Sequence, residues 1–215
     1  MKPQIFKTQE GWHSSSGRSI VEILIVFVIA AILAAIAVPQ AISARRAVRS
    51  SALANEIASQ IRFTRQQAMS QRQAFTFQYD DSTKQITIID HNATGATVLS
   101  TTGYPNTAGS TTALTVTAGG GGGLPTSEIS FGLPNGVSVT ALPDTTTPTA
   151  LASNKRTITF QPDGTVIDAN NTYTNRSLFL YNNVIPNQAA FAISVLGSAG
   201  RVKIWRRTTG NTYVE

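Results

Sequence analysis

The chain contains no cysteine among its 215 residues, which excludes a disulfide framework, a thiol nucleophile and a cysteine zinc site. Histidine is almost as scarce: His13 lies near the N-terminus and His91 in a loop-like stretch, so neither a His-based dyad nor a metal cluster emerges. Aromatic residues make up 7% and charged residues 13% of the chain. The polar remainder is dominated by Thr, Ser, Asn and Gln, the composition of a β-rich extracytoplasmic domain rather than a cytosolic enzyme. No activating base is apparent near any Ser or Thr. The acids of Asp80-Asp81 and Pro162-Asp163-Gly164 fall in turn sequences, where acids are ordinary, although calcium is the ligand they would suit. Gly119–Gly123 lacks the Lys-Ser/Thr ending of a phosphate loop. No enzyme activity, cofactor or metal is expected.

What the chain does have is one long apolar run. From Ile20 to Val38 the only polar residue is Glu22, and about 20 residues suffice for a helix to cross the hydrocarbon core. Lys2, Lys7 and Arg18 precede it, with Glu10 the only acid there, which biases the N-terminus to the cytoplasm and everything after Pro39 to the periplasm or outside. A cleaved secretory signal has a shorter apolar core, although Ala35-Ile36-Ala37 has the form of its cleavage site. A plain uncleaved anchor leaves Glu22 without a role, since a carboxylate inside a membrane helix costs roughly 2.5–3.5 kcal/mol and is kept for a partner.

Beyond Pro39, residues 40–73 contain no Gly and no Pro. Leu53, Ile57, Ile61, Thr64 and Ala68 recur at three- and four-residue spacing, predicting one moderately apolar stripe on a continuing helix. Arg45, Arg46, Arg49, Arg62, Arg65 and Arg72 occupy the other faces, and Pro39 is expected to kink the helix or loosen one turn. Strand-like alternation follows in Ala74–Tyr79 and Gln85–Ile89, and then in Glu128–Leu133, Val137–Leu142, Arg156–Gln161 and Thr165–Ile167. The last such segments are Ser177–Tyr181, Phe191–Leu196 and Arg201–Arg207. The Thr-, Gly- and Ser-rich stretch from about 91 to 126 reads as a flexible insertion with at most a weak strand near Ala113–Thr117. The fold class is α+β: a long N-terminal helix, half membrane and half amphipathic, followed by an antiparallel β domain.

The N-terminal pattern resembles that of type IV pilins and pseudopilins. Their basic leader ends in Gly, and a residue followed by Thr or Ser comes next. Glu stands at the fifth mature position and Pro at the twenty-second. Counted from Arg18, Glu22 is the fifth and Pro39 the twenty-second. The resemblance implies cleavage between Gly17 and Arg18 by a prepilin peptidase and N-methylation of Arg18. It implies pairing of Glu22 with the freed N-terminus of a neighbouring subunit. Arg18 departs from the Phe or Met usual at that place. The expected segments are a leader over 1–17, a transmembrane and filament-core helix over 18–39, its amphipathic continuation over 40–73, and a β domain over 74–215.

Three further stretches resemble minor pilins and pseudopilins of the FimT/GspH type: Ile61-Arg62-Phe63-Thr64-Arg65-Gln66-Gln67-Ala68-Met69, Ile158-Thr159-Phe160-Gln161-Pro162-Asp163-Gly164, and Ala192-Ile193-Ser194 leading to Gly200-Arg201-Val202-Lys203. The resemblance implies a structural subunit of a type IV pilus or type II secretion pseudopilus. Its partners are then prepilin peptidase, other pilin or pseudopilin subunits and an inner-membrane assembly platform.

The last strand suggests an alternative. Alternation puts Arg201, Lys203, Trp205 and Arg207 on one face, and clustered cations with an interleaved Trp suit nucleic acid. Gly200-Arg201-Val202-Lys203 is similar to the Gly-Arg-x-Arg element of DNA-binding minor pilins, with Lys in the last place offering a point charge rather than a fork. The competing explanation is an edge strand that carries cations to prevent unwanted pairing.

Overall fold

The computed structural model describes residues 19–91, 111–121, 123–138, 142, 151, 154–168, 172–208, 210 and 212–215. One helix, α1, runs over Ile20–Gln71 with Pro39 inside it. The helix is unbroken at Pro39, although proline supplies no N–H to the Ala35 carbonyl one turn back. The chain separates into two units, one ending at Ile42 and the other beginning at Ser43. The first unit, as described from Ser19, is this helix alone, and every side chain in it is exposed.

In the second unit the anticipated stripe is the buried face of the helix. Leu53, Ile57, Ile61, Thr64 and Ala68 are at most 1% exposed, and Ala54 and Ala58 join them. The helix ends where Arg72 enters the left-handed region (φ 53°) and the Gln73 N–H closes on the Ala68 carbonyl at 3.1 Å.

Two antiparallel sheets follow. The first has the order β3-β2-β1-β5, built from β1 (Phe75–Asp80), β2 (Gln85–Asp90), β3 (Thr111–Thr117) and β5 (Lys155–Phe160). The second has the order β4-β6-β7-β8-β9, from β4 (Ile129–Phe131), β6 (Arg176–Asn182), β7 (Ala190–Leu196), β8 (Arg201–Arg207) and β9 (Tyr213–Val214). Side-chain alternation aims Phe75, Phe77 and Tyr79 of β1, Ile86 and Ile88 of β2, and Ile158 and Phe160 of β5 into one apolar cluster with the helix stripe. The second sheet adds Leu178, Leu180, Phe191, Ile193 and Val195 to that cluster, with Val202 and Ile204 of β8 at its margin. Burial of this kind, at about 25 cal/mol per Å² of apolar surface, supplies the main stabilising term in a domain without disulfides.

The opposite face of the second sheet carries a smaller cluster. Phe179, Ala192 and Tyr213 are buried there with Leu142, flanked by Leu133, Val137 and Trp205. Of the expected strand Val137–Leu142, residues 139–141 lie outside the described set; Ser138 makes one isolated parallel bridge to Thr212, and Val137 and Leu142 pack on the sheet. Thr165–Ile167 differs from the sequence expectation: it makes two isolated bridges, Phe160 with Val166 and Ile167 with Tyr173, rather than a strand.

Within the stretch expected as an insertion, β3 is a seven-residue strand pairing with β2. Ala118 and Leu124 behind it are buried in the main cluster. The threonines of β3 have the β-branching that favours a strand, and the glycine-rich surroundings mask that signal. Residues 92–110 lie outside the described set.

Candidate functional site

Two places carry the residues singled out from the sequence. The first is the start of α1. Ser19 acts as its N-cap: the Val21 N–H donates to Ser19 Oγ at 3.3 Å, and the Glu22 and Ile23 N–H groups donate to the Ser19 carbonyl at 3.0 and 3.2 Å. Glu22 falls in the first turn, where the helix dipole favours a negative charge, and it has no ion-pair partner among the described residues. Each large apolar side chain from Ile20 to Val38 is exposed, Ile20 by 78% and Phe27 by 69%. This is the one described helix long and apolar enough to cross a membrane. Exposed apolar surface on this scale marks a membrane or protein interface. Gly17 and Arg18, the expected cleavage and methylation positions, lie outside the described residues.

The second place is the outer face of the β7–β8 hairpin. The hairpin closes through the Gly200 N–H donating to the Leu196 carbonyl at 2.7 Å, with Leu196 opposite Arg201, Ser194 opposite Lys203 and Ala192 opposite Trp205. Val202 and Ile204 turn to the main core, which leaves Arg201, Lys203, Trp205 and Arg207 on the other face. There the Trp205 Nε1–H donates to Ser194 Oγ at 2.6 Å, fixing the indole on the hairpin. The Lys203 ammonium lies 5.4 Å from the centroid of that indole, within the range of a cation–π contact, and pairs with the Glu215 carboxylate. Ser194, Leu196, Arg201, Lys203 and Trp205 line a surface slot of about 240 Å³. Arg207 stands apart: its guanidinium donates to Asn187 Oδ1 at 2.9 Å and to the Pro186 carbonyl at 3.4 Å.

Sequence reasoning misses Glu215 and Ser194 in this assembly. Glu215 stands in no motif, Ser194 stands in the Ala192-Ile193-Ser194 stretch without any sign of what it touches, and their contacts exist only because β9 and β7 flank β8. It misses Glu128 for the same reason. That carboxylate accepts from Arg46 Nε at 3.2 Å and from Asn182 Nδ2 at 2.9 Å, connecting the helix to the second sheet.

The acids weighed for a metal have other employment. Asp80 Oδ1 accepts from the Ser82 N–H and hydroxyl at 2.9 and 2.5 Å, and the Ser82 hydroxyl in particular holds its carboxyl below the ordinary range. Asp163 Oδ1 accepts from the Thr165 N–H and hydroxyl at 2.9 and 2.7 Å. Among the described residues no group of three His, Cys, Asp or Glu side chains is placed to hold a metal ion. His91 is buried, and its Nε2 lies 2.7 Å from Thr76 Oγ1, so it belongs to the packing of the first sheet.

A sequence profile of the family described as type II transport protein GspH matches residues 53–199, from the buried half of the helix to the β7–β8 turn. The chain belongs to this family. The GspH match therefore covers both sheets up to the slot-bearing hairpin, and the chain is a pilin-like protein of the minor pilin and pseudopilin kind. Among solved structures, two crystal forms of the type IV minor pilin FimU from Pseudomonas aeruginosa strain PAO1 are similar to it. Each is 15% identical and covers 77% of this chain; the matches span 92% and 97% of the FimU chains, with TM-scores of 0.44 and 0.42. No curated protein sequence matches the chain.

Proposed function

We propose that this chain is a structural subunit, a minor pilin or pseudopilin, processed by prepilin peptidase between Gly17 and Arg18 and methylated on Arg18. It enters the inner membrane with a cytoplasmic N-terminus and a periplasmic β domain. An assembly platform then moves it into a type IV pilus or type II secretion pseudopilus. The observation that carries this reading is the GspH-family match on a domain preceded by a fully exposed apolar helix with one acid, Glu22, in its first turn. An exposed apolar helix serves lipid first and neighbouring helices later, because both offer the same apolar contact. Glu22 then pairs with the N-terminal ammonium of the next subunit, which removes the cost of an isolated charge and sets register. Pro39 leaves a helix carbonyl without its usual donor and so supplies a place where the assembled helix adjusts. Glu22→Val is expected to leave membrane insertion intact and to reduce the protein recovered in sheared filaments by roughly tenfold or more. Unchanged recovery would remove the register role.

A second reading, DNA binding by the same subunit during DNA uptake, is favoured by the slot with Arg201, Lys203 and Trp205 on one face. Replacing Arg201 and Lys203 together by Ala is expected to weaken DNA binding and flatten its dependence on salt. Equal binding by the wild type and the double variant would dismiss it.

A further inference from the structure

We propose that a notch between α1 and the end of β8 receives a carboxylate, carried by an acidic side chain of a different, neighbouring subunit in the filament. The inference rests on the filament-subunit reading above and names a contact that reading leaves open.

The notch has a volume of about 100 Å³ and is walled by Ser50 and Ser51 of the helix, by Gln188, and by Arg206 and Arg207 of β8. Ser50 is 2% exposed, and its hydroxyl is buried with no hydrogen-bond partner. A helical hydroxyl has a ready acceptor in the carbonyl one turn back. On this same helix Thr64 Oγ1 donates to the Gln60 carbonyl at 2.7 Å, and Ser70 Oγ donates to the Gln67 carbonyl at 3.2 Å. Ser50 makes no such bond, and a buried hydroxyl left alone destabilises the domain until a ligand answers it.

Charge selects that ligand. Arg206 stands opposite Phe191, yet its side chain is exposed and has no acidic partner among the described residues. Arg207 is committed to Asn187 and the Pro186 carbonyl. Glu128, the acid that ties the helix to the second sheet, gives one oxygen to Arg46 and the other to Asn182, so it does not serve the notch. The walls therefore offer a guanidinium fork, two hydroxyls and an amide. A carboxylate accepts from all of them and matches the plane of the fork. About three water molecules would fill the volume, but they leave the guanidinium charge unanswered. The space suits a side-chain carboxyl group and is too small for a base or a sugar ring.

The helix surface beside the notch is open to a partner. Val48 adjoins Ser51 at helical spacing and is 70% exposed, and Ala44 is exposed as well. An acid flanked by apolar side chains fits such a shoulder. The formal net charge of +6 sets copies of this chain against one another, which points to a subunit of opposite charge.

The test uses thermal unfolding of the full chain in detergent micelles, with N-acetyl-glutamate amide, N-acetyl-glutamine amide or inorganic phosphate at equal ionic strength. At about ten times its Kd the glutamate probe shifts the folding equilibrium about elevenfold, seen as a rise in Tm of roughly 3–6 °C. The neutral glutamine probe is expected to give no rise. Arg206→Gln and Ser50→Ala are each expected to fold as the wild type does and to lose most of the rise. Arg206→Lys, which keeps the charge without the fork, is expected to retain part of it. In cells, Arg206→Gln is expected to enter the membrane normally and to lower recovery in sheared filaments by about threefold or more. An equal rise with both amides, an undiminished rise in Arg206→Gln, or a larger Arg206-dependent rise with phosphate would overturn the inference. So would unchanged filament recovery of Arg206→Gln, or self-association of the purified chain that depends on Arg206. Absence of the wild type itself from filaments would overturn the filament reading as well.

Discussion

At the scale of single residues, the joint beneath the slot decides how the hairpin is held. Gly200 has φ +59°, and a Cβ there would collide with the Gly164 carbonyl and with Arg65 Nε. Arg65 itself donates from Nε to the Gly164 carbonyl at 3.1 Å, so the helix, the Pro162-Asp163-Gly164 turn and the β7–β8 turn meet at one point. Gly200→Ala combines a left-handed backbone penalty of roughly 1–2 kcal/mol with crowding of roughly 1–3 kcal/mol. A loss of about 3 kcal/mol is expected, seen as a fall in Tm of roughly 6–12 °C by circular dichroism. Gly123→Ala is the control: φ is also positive (+65°) but nothing lies within 4 Å, so only the backbone penalty applies, with a fall of roughly 2–8 °C.

Glu56 is a second residue-scale device. Burial pushes its carboxyl above the ordinary range, partly offset by a hydrogen bond from the Gly119 backbone, and its Oε2 atom is buried with no partner. An acid raised in the folded state holds its proton more tightly there than when unfolded. Its ionisation therefore lowers stability as pH rises through the unfolded and then the folded value. Glu56→Gln is expected to melt higher than the wild type at pH 7 to 8 and to converge with it near pH 4. A constant difference across that range would contradict this assignment. Asp80 has the opposite sign: held low by Ser82, it stabilises the fold at neutral pH and loses that contribution as pH falls.

At the scale of elements, legibility follows the range of the interaction. The helix and its stripe are legible because a 3.6-residue period is written locally; Leu53, Ile57 and Ile61 need no knowledge of their partners to be recognised. The hairpins β1–β2 and β7–β8 are legible for a similar reason, since each joins neighbouring segments through a turn-rich linker. The pairing of β1 with β5, Tyr79 opposite Arg156, spans too much chain to be marked by either sequence. β3 is obscured by its Thr- and Gly-rich setting, and alternation alone does not tell that Val137 and Leu142 cover the small cluster on the outer face of the second sheet. In the slot, strand alternation puts Arg201, Lys203 and Trp205 on one face, while the Ser194 and Glu215 contacts depend on how β7 and β9 flank them. The packed part of α1 should dominate stability. Ile57→Ala, at a fully buried position, is expected to cost about 2–5 kcal/mol in thermal or denaturant unfolding. Val48→Ala, at a site 70% exposed, is expected to change it by about 0.5 kcal/mol or less.

At the scale of the whole molecule, two kinds of surface serve two tasks. The unit ending at Ile42, as described from Ser19, is an apolar helix with every side chain exposed, which suits it to lipid or to other helices. The unit from Ser43 onward has its own core, belongs to the GspH family and carries the polar and cationic surface available to other partners. On this account the chain is a filament subunit whose processing signal is Gly17-Arg18, read together with Glu22 and Pro39. The most direct measurement is the mass and N-terminal sequence of the protein purified from membranes of cells containing prepilin peptidase. The account predicts a chain beginning at a methylated Arg18. A chain still beginning at Met1, or one cut after Ala37, would contradict it and leave a plain anchored or secreted domain in its place.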